Sequence, residues 1–338
     1  MDKVAIIKIT DYKRLNMDKM RKIFTAFSIA MIAATTLECS TVNAQTVFSI
    51  NKSGVSASTM GASKKNLKKI DTTAFEVTYK MYWLRNPDDQ LNQTNDTASG
   101  KKKDNAAKET IAYHSKEDFE DLLLLQVGKN ISKCFSYKTF QKDSLIDVTP
   151  VDQVMANMDK FTGGATFNIY QNYPAGKLTY TSNIMTDSFL YTEPEPEIEW
   201  ILRPETKDVI GYNCNRATCT FRGRNYEAWY TNEIPTSLGP WKFRGLPGLI
   251  LSVKDDSGII SFEATGLRKC SHIITYKDIK YINTNREKFN KQEMKFEKAP
   301  IDYMSANSNV KITINNPDGS PSDMSQFRNL KFNQLELK

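Results

Sequence analysis

Gly245-Leu246-Pro247-Gly248-Leu249-Ile250-Leu251-Ser252-Val253-Lys254-Asp255-Asp256-Ser257-Gly258-Ile259-Ile260-Ser261-Phe262-Glu263-Ala264 is the stretch on which the fold turns. Leu249 to Val253 and Ile259 to Ala264 are apolar runs of strand length. The residues between them, Asp255 to Gly258, are turn formers, so the segment reads as a β-hairpin. At its head, Leu246-Pro247-Gly248-Leu249 has proline and glycine at the central positions of a type II turn. Proline presets φ there, and Gly248 is expected to take the positive φ that a Cβ resists. Gly245 is expected to permit a close backbone approach just before the turn. Leu249, Ile250 and Leu251 read as the start of a strand buried on both faces. The first expectation is a structural corner that seats a central strand. The alternative is one wall of a ligand or partner groove, with Trp229, Trp241 and Phe243 as its anchors.

Outward from this hairpin, strand patterns repeat. Phe75, Val77, Tyr79, Met81 and Trp83 alternate with mostly polar neighbours, the period of a strand with one wet face. Phe167 to Tyr173 and Lys177 to Ile184 flank a reversal at Pro174-Ala175-Gly176. Phe189 to Thr192 leads into Glu193-Pro194-Glu195-Pro196-Glu197, whose prolines mark a linker or sheet edge. Ile198 to Leu202 and Val209 to Phe221 read as further strands, and Arg222-Gly223-Arg224-Asn225 turns the chain into Tyr226 to Thr231. Two helices are expected. One is capped by Thr149 with Pro150 at its first position; the other runs from Asn285 to Lys298 before Pro300. The class is mainly β: an antiparallel curved sheet or half-open barrel of hairpins with a few short helices.

The run Gly245 to Ile250, set after Gly239-Pro240-Trp241-Lys242-Phe243-Arg244, resembles the signature of the GLPGLI family, exported proteins of gram-negative bacteria named for it. Ile210 to Ala217 and Phe221 to Tyr230 are similar to the family's strand pair before the signature. Leu124 to Lys129 resembles an earlier family strand, and Phe332 to Leu337 the family's ending. The resemblance spans roughly Ala74 to the C-terminus. Cys134 stands where the pattern has an aromatic, and the polar stretch after Arg85 looks like a variable insertion. The resemblance implies export and a β-rich fold; the family carries no established biochemical role.

The N-terminal residues agree with export. Arg21 and Lys22 precede an uncharged apolar stretch, Ile23 to Leu37, and Val42-Asn43-Ala44 fits a cleavage site before Gln45. The apolar stretch is short for a span, which takes about 20 residues. Cys39 follows a carboxylate at Glu38, unlike a lipoprotein site. Residues 1–44 thus read as a signal peptide, 45–71 as a flexible lead-in, and 72–338 as one β-rich domain with a polar loop at about 86–108. Removing residues 1–44 takes Lys and Arg from 46 to 39 and Asp and Glu from 39 to 35, so the formal charge falls from +7 to +4. So mild a balance, without a clustered basic face, does not point to nucleic acid. No transmembrane span is expected in the mature chain.

Cys134, Cys214, Cys219 and Cys270 would remain, an even number that suggests disulfides in an exported chain, of open connectivity, or else buried thiols. Metal ranks behind these readings: Cys214 and Cys219 lack zinc-knuckle spacing, and the two histidines, His114 and His272, are not spaced as partners. Cys270 and His272 sit too close in sequence to be read as a thiol–imidazole dyad. No nucleophile elbow, calcium loop or phosphate-cradling loop is present, and no catalytic residue, metal site or cofactor is expected. Glu193, Glu195, Glu197 and Glu199 read as a solvated edge rather than a glycosidase pair. The leading function is an exported binding or accessory protein of the periplasm, or of the cell surface, that holds an apolar or extended ligand or a protein partner. The partner would be an envelope protein, a peptide or a lipid. The alternatives are a structural partner of an envelope complex, recognised by an aromatic patch or free strand edge, and a hydrolase of unrecognised type.

Overall fold

The computed structural model describes residues 4–9, 46–51, 66–85, 120–146, 164–185, 187–307, 312–314, 325 and 328–338. The expected cleavage site at Ala44 and Gln45, the polar loop 86–108, His114 and the helix opening at Thr149 lie outside these residues. In chain order the strands are β1 (Val4–Ile9), β2 (Thr46–Asn51), β3 (Leu67–Trp83), β4 (Glu120–Gly128), β5 (Ser132–Ser136), β6 (Asn168–Gln171), β7 (Lys177–Ile184), β8 (Asp187–Pro194), β9 (Ile201–Val209), β10 (Tyr212–Phe221), β11 (Arg224–Thr231), β12 (Leu249–Asp255), β13 (Ile260–Lys269), β14 (Ile273–Lys277), β15 (Ile282–Asn283) and β16 (Ile312–Ile314). The helices are α1 (Tyr137–Ile146), α2 (Arg286–Lys298) and α3 (Pro300–Asn307).

β1, β2 and β16 make a small sheet in that order, and the other strands form one large sheet ordered β15-β8-β7-β6-β5-β4-β3-β13-β12-β11-β10-β9, with β14 added along β3. β15 and β9 end the row without pairing to each other, so the sheet stays open rather than closing into a barrel. Its pairs are antiparallel except β15 with β8. The hairpins expected at Pro174–Gly176, Arg222–Gly223 and Asp255–Gly258 are all present. Val209 to Phe221 is not one strand: Ile210 and Gly211 take positive φ, 47° and 84°, and turn β9 into β10. Positive φ at both central residues is the type I′ geometry that matches strand twist. The chain enters β3 at Leu67, ahead of the expected domain start at residue 72.

Alternation along β3 sets the two faces. Val77, Leu125, Cys134, Ile169, Tyr180 and Tyr191 are consecutive cross-strand neighbours from β3 to β8, and all are buried on the inner face. One position over, Glu76, Gln126, Lys133, Tyr170 and Thr179 form a matching row on the outer face. Because side chains alternate with period two, a one-residue slip would exchange these rows and bury a lysine and a carboxylate in the apolar core.

The inner face is filled from within. The β11–β12 connection drops Trp241 and Phe243 onto it, against Phe221, Tyr226 and Phe262. The Tyr79 hydroxyl donates to the Ile250 carbonyl at 2.7 Å, tying β3 to β12 across the intervening β13. α2 lays Phe289 on Tyr180, Phe189 and Tyr191. Asn285, placed by the sequence at the start of the helix, is its cap and accepts from the Lys288 N–H. Pro300 does more than stop that helix: it opens α3, where its missing N–H is not needed.

Among the described residues, one end of the outer face is covered. The first residues of β3 extend beyond β4 and pair with β14, making a two-stranded arm. Asp71 in the arm accepts the N–H groups of Asn130 and Ile131 at the β4–β5 turn. Tyr276 of β14 packs on Tyr170 and Tyr173, so the arm lies over β5 and β6.

Candidate functional site

The signature is a core corner, but its two outer glycines exchange the expected roles. Gly245, not Gly248, takes positive φ, at 95°, and a Cβ there would meet only the Trp200 indole, at 3.7 Å. Gly248 is the close approach: its Cβ would stand 2.0 Å from the Thr231 carbonyl oxygen. Leu249 is the cross-strand partner of Thr231, so Gly248 enters the ladder beside β11 with no room for a side chain. Leu249, Ile250 and Leu251 are fully buried, as expected of a doubly covered strand. The connection is knitted to β12 by Leu249 N–H to Ile234 C=O and Ile250 N–H to Leu238 C=O.

Trp229, Trp241 and Phe243 do not converge on a groove. Trp241 and Phe243 are 1% and 0% exposed, inside the inner-face core. Trp229 pairs with Arg216 and Ser252 on the other face, where its indole donates to Glu227 and Lys207 sits 4.4 Å above its ring. The alternation of β11 separates them: Tyr226, Ala228 and Tyr230 belong to the inner face, and Trp229 between them does not.

Nor do the cysteines pair. All four are free thiols. Cys134 lies on β5 and Cys214 and Cys219 on β10, in opposite halves of the sheet, while Cys270 follows β13. Cys134, Cys214 and Cys219 are small apolar fillers of the core. The Cys134 sulfur accepts the Trp241 N–H at 3.3 Å. Burial pushes the Cys134 and Cys219 thiols up to about 12 and that of Cys214 up to about 11, which keeps them protonated and unreactive. The disulfide expectation is thus replaced by its companion reading, buried thiols, at these three positions.

A buried ion cluster backs the signature. Lys242 has no solvent exposure, and its ammonium donates to the Tyr191 hydroxyl at 2.8 Å, to Glu193 at 3.2 Å and to Glu336. It also stands 5.1 Å from the ring centres of Tyr180 and Tyr191. Arg222 and Arg286 reach the same two carboxylates. Glu336 belongs to the C-terminal segment, so the cluster locks that segment to the signature. Nearby, burial and the Glu297 carboxylate push Glu293 up to about 7. The Glu-Pro run thereby supplies core counter-ions as well as an edge: Glu193 serves Lys242, and Glu195 pairs with Arg244.

The outer face holds a second polar cluster. Glu76, 1% exposed, accepts from Gln126 at 2.8 Å, from Arg268 at 2.8 and 3.1 Å, and meets His272 Nδ1 at 2.9 Å. Burial alone would raise its carboxyl; hydrogen bonds from His272, Gln126 and Arg268 outweigh that and hold it below the usual glutamate value. Thr73 fixes the loop carrying His272: its N–H donates to the His272 carbonyl at 2.8 Å, and its hydroxyl accepts the His272 N–H at 2.7 Å. The same hydroxyl lies 3.3 Å from the Cys270 sulfur. The Cys270–His272 spacing, too short to read as a pair in sequence, therefore brings both side chains to Glu76. Farther along the row, Lys133 donates to the Thr275 carbonyl and rests over Phe135 and Tyr170; burial, with Lys277 close by, pushes it down to about 8.

Beside this cluster the outer face is apolar and open. Leu122, Tyr137 and Phe140 are 37%, 38% and 51% exposed. Tyr137 stacks on Phe140, and Phe140 meets Phe135 edge-on. Lys138 follows Tyr137 and donates to the Glu120 carbonyl, and Arg268 interacts electrostatically with Tyr137.

Residues 222–252, from the end of β10 through the signature into β12, match a family described as "Protein of unknown function (Porph_ging)". No curated protein matches the chain. Two solved structures of PNGF-II, in P21 and C2 space groups, align with it at 15% identity and TM-scores of 0.41 and 0.39. Those alignments cover 66% of this chain and 33% and 32% of the PNGF-II chains, so the chain spans about a third of their length. Among the described residues no helix is long and apolar enough to cross a membrane.

Proposed function

We propose that this chain is an exported envelope protein with a binding or accessory task, docking a protein partner on the outer face of its sheet. The observation that carries the reading is the exposed, stacked pair Tyr137 and Phe140, with exposed Leu122 on the adjoining strand β4, Lys138 next in sequence to Tyr137 and Arg268 in electrostatic reach of it. Exposed aromatics with a cationic rim suit a partner that offers an apolar anchor among acidic side chains. Among the described residues core side chains fill the inner face, which weighs against a carrier cavity there. Docking along the β9 edge is also disfavoured. Pro204 lacks an N–H, the β9–β10 ladder is irregular between Asn215 and Ala217, and Arg203, Glu205 and Lys207 load the strand with charge. Export rests on the leader-like residues 1–44, whose removal would also take β1 from the small sheet, and the periplasm is the proposed destination.

The test is photo-crosslinking in living cells from a benzophenone side chain at position 140 or 137, with Ile201 on β9 as an exposed comparison site. The expected result is one discrete protein adduct, shared by positions 137 and 140 and absent at 201, in the envelope fraction. Adducts common to all three positions, lipid adducts alone, or a cytosolic protein would each overturn the reading.

A further inference from the structure

We propose that Cys270, His272 and Glu76 form a binding site for a borderline divalent cation of the zinc type. The three side chains each present one ligand atom, a thiol sulfur, an imidazole nitrogen and a carboxylate oxygen, and these atoms lie within 4.8 Å of one another. In a tetrahedral zinc site, ligand distances of about 2.0–2.3 Å place donor atoms roughly 3.5 Å apart. Around an ion the His272–Glu76 pair, at 2.9 Å, would open slightly and the Cys270 sulfur, within 4.8 Å of both, would settle at bonding distance, within reach of side-chain rotation. Thiolate, imidazole and carboxylate together favour zinc over magnesium or calcium, which take oxygen ligands.

The surroundings are those of a built site. Glu76 is held from behind by Gln126 and Arg268, which orient its carboxylate as outer partners orient metal ligands. Arg268 takes one oxygen, Oε2, and the other, Oε1, accepts from Gln126 and faces His272. Thr73 pins the backbone of the 270–272 loop, so the spacing of the two loop ligands is set before any ion arrives. The His272 side chain is 53% exposed, which gives the ion a path from solvent. Binding would displace the Cys270 thiol proton and replace the His272–Glu76 contact with bonds from both to the metal. Three protein ligands leave the fourth position to solvent or to an incoming donor. The ion would also tie Glu76 of β3 to the β13–β14 hinge, so it would clamp the arm to the sheet.

Cobalt(II) titration of the reduced full-length protein tests the site, because a thiolate–cobalt bond gives a charge-transfer absorption band that oxygen and nitrogen ligands do not. The expected result is a band that saturates at one cobalt per chain and is erased by zinc. It should disappear in Cys270→Ser and weaken more than tenfold in His272→Ala and Glu76→Gln. His272→Ala alters an exposed side chain and should keep the parent's far-ultraviolet circular dichroism and metal-free melting temperature. Zinc should raise the melting temperature of the parent but not that of Cys270→Ser. Absence of a thiolate band, or cobalt affinity in Cys270→Ser and His272→Ala within twofold of the parent, would overturn the assignment.

Discussion

Substituting the two signature glycines separates the corner seen in the structure from the type II turn that the residue order suggests. If Gly248 held the positive φ, Gly248→Asn would be mild, since asparagine tolerates that region. In the structure a Cβ on Gly248 meets the Thr231 carbonyl oxygen at 2.0 Å and its carbon at 2.6 Å, both backbone atoms of the paired strand. Relief requires moving β12 from β11 by roughly 1 Å to restore van der Waals contact, which overpacks the core at about 1–3 kcal/mol. It also weakens one or two ladder hydrogen bonds near Thr231 and Leu249, at about 1 kcal/mol each. Gly248→Ala should therefore cost about 4 kcal/mol. At Gly245 the space is open and only the φ of 95° resists a side chain, so Gly245→Asn should cost about 1–2 kcal/mol. Urea unfolding of the parent and both variants, with thermal melts alongside, reads the difference. At about 2–4 °C per kcal/mol, the Gly248→Ala midpoint should fall by on the order of 10 °C. A Gly248→Ala protein within 1 kcal/mol of the parent, or one more stable than Gly245→Asn, would refute the close-approach argument.

Three further outcomes follow from the buried charges. Lys242→Met leaves Glu193 and Glu336 facing Arg222 and Arg286, so it should cost about 2 kcal/mol, less than the 3–5 kcal/mol of stranding a buried charge outright. Adding Glu336→Gln should cost less than the sum of the two single variants by about 1 kcal/mol in a double-mutant cycle, and strict additivity would show that the contact carries no coupling. Glu293 binds its proton more tightly folded than unfolded, with a folded value of about 7 against 4.5. Its contribution is therefore fully favourable below about pH 4.5 and is lost as pH rises through 7. Glu293→Gln should stabilise the protein at pH 8 by roughly 2–3 kcal/mol and leave it little changed near pH 4. An equal effect at both pH values would remove titration as the cause.

What the sequence alone determined was local and periodic. Alternation along Phe75 to Trp83, the turn residues at Pro174–Gly176, Arg222–Gly223 and Asp255–Gly258, and helical spacing over Asn285 to Lys298 announced a curved antiparallel sheet or half-open barrel with a helix on it, because turn chemistry and side-chain periodicity act over a few residues. The corner at the signature was visible as a corner, but which glycine carried the φ was not, since that depends on how near β11 passes. Only the tertiary structure decided the faces and the partners. Trp229 and Trp241 fall on opposite sides of one sheet, the cysteines are scattered across it, and Lys242 meets Glu336 from the far end of the chain. Glu76 meets Cys270 and His272 for the same reason: strand pairing of β3 with β13 and β14 brings together residues about two hundred positions apart, a distance over which no spacing rule operates.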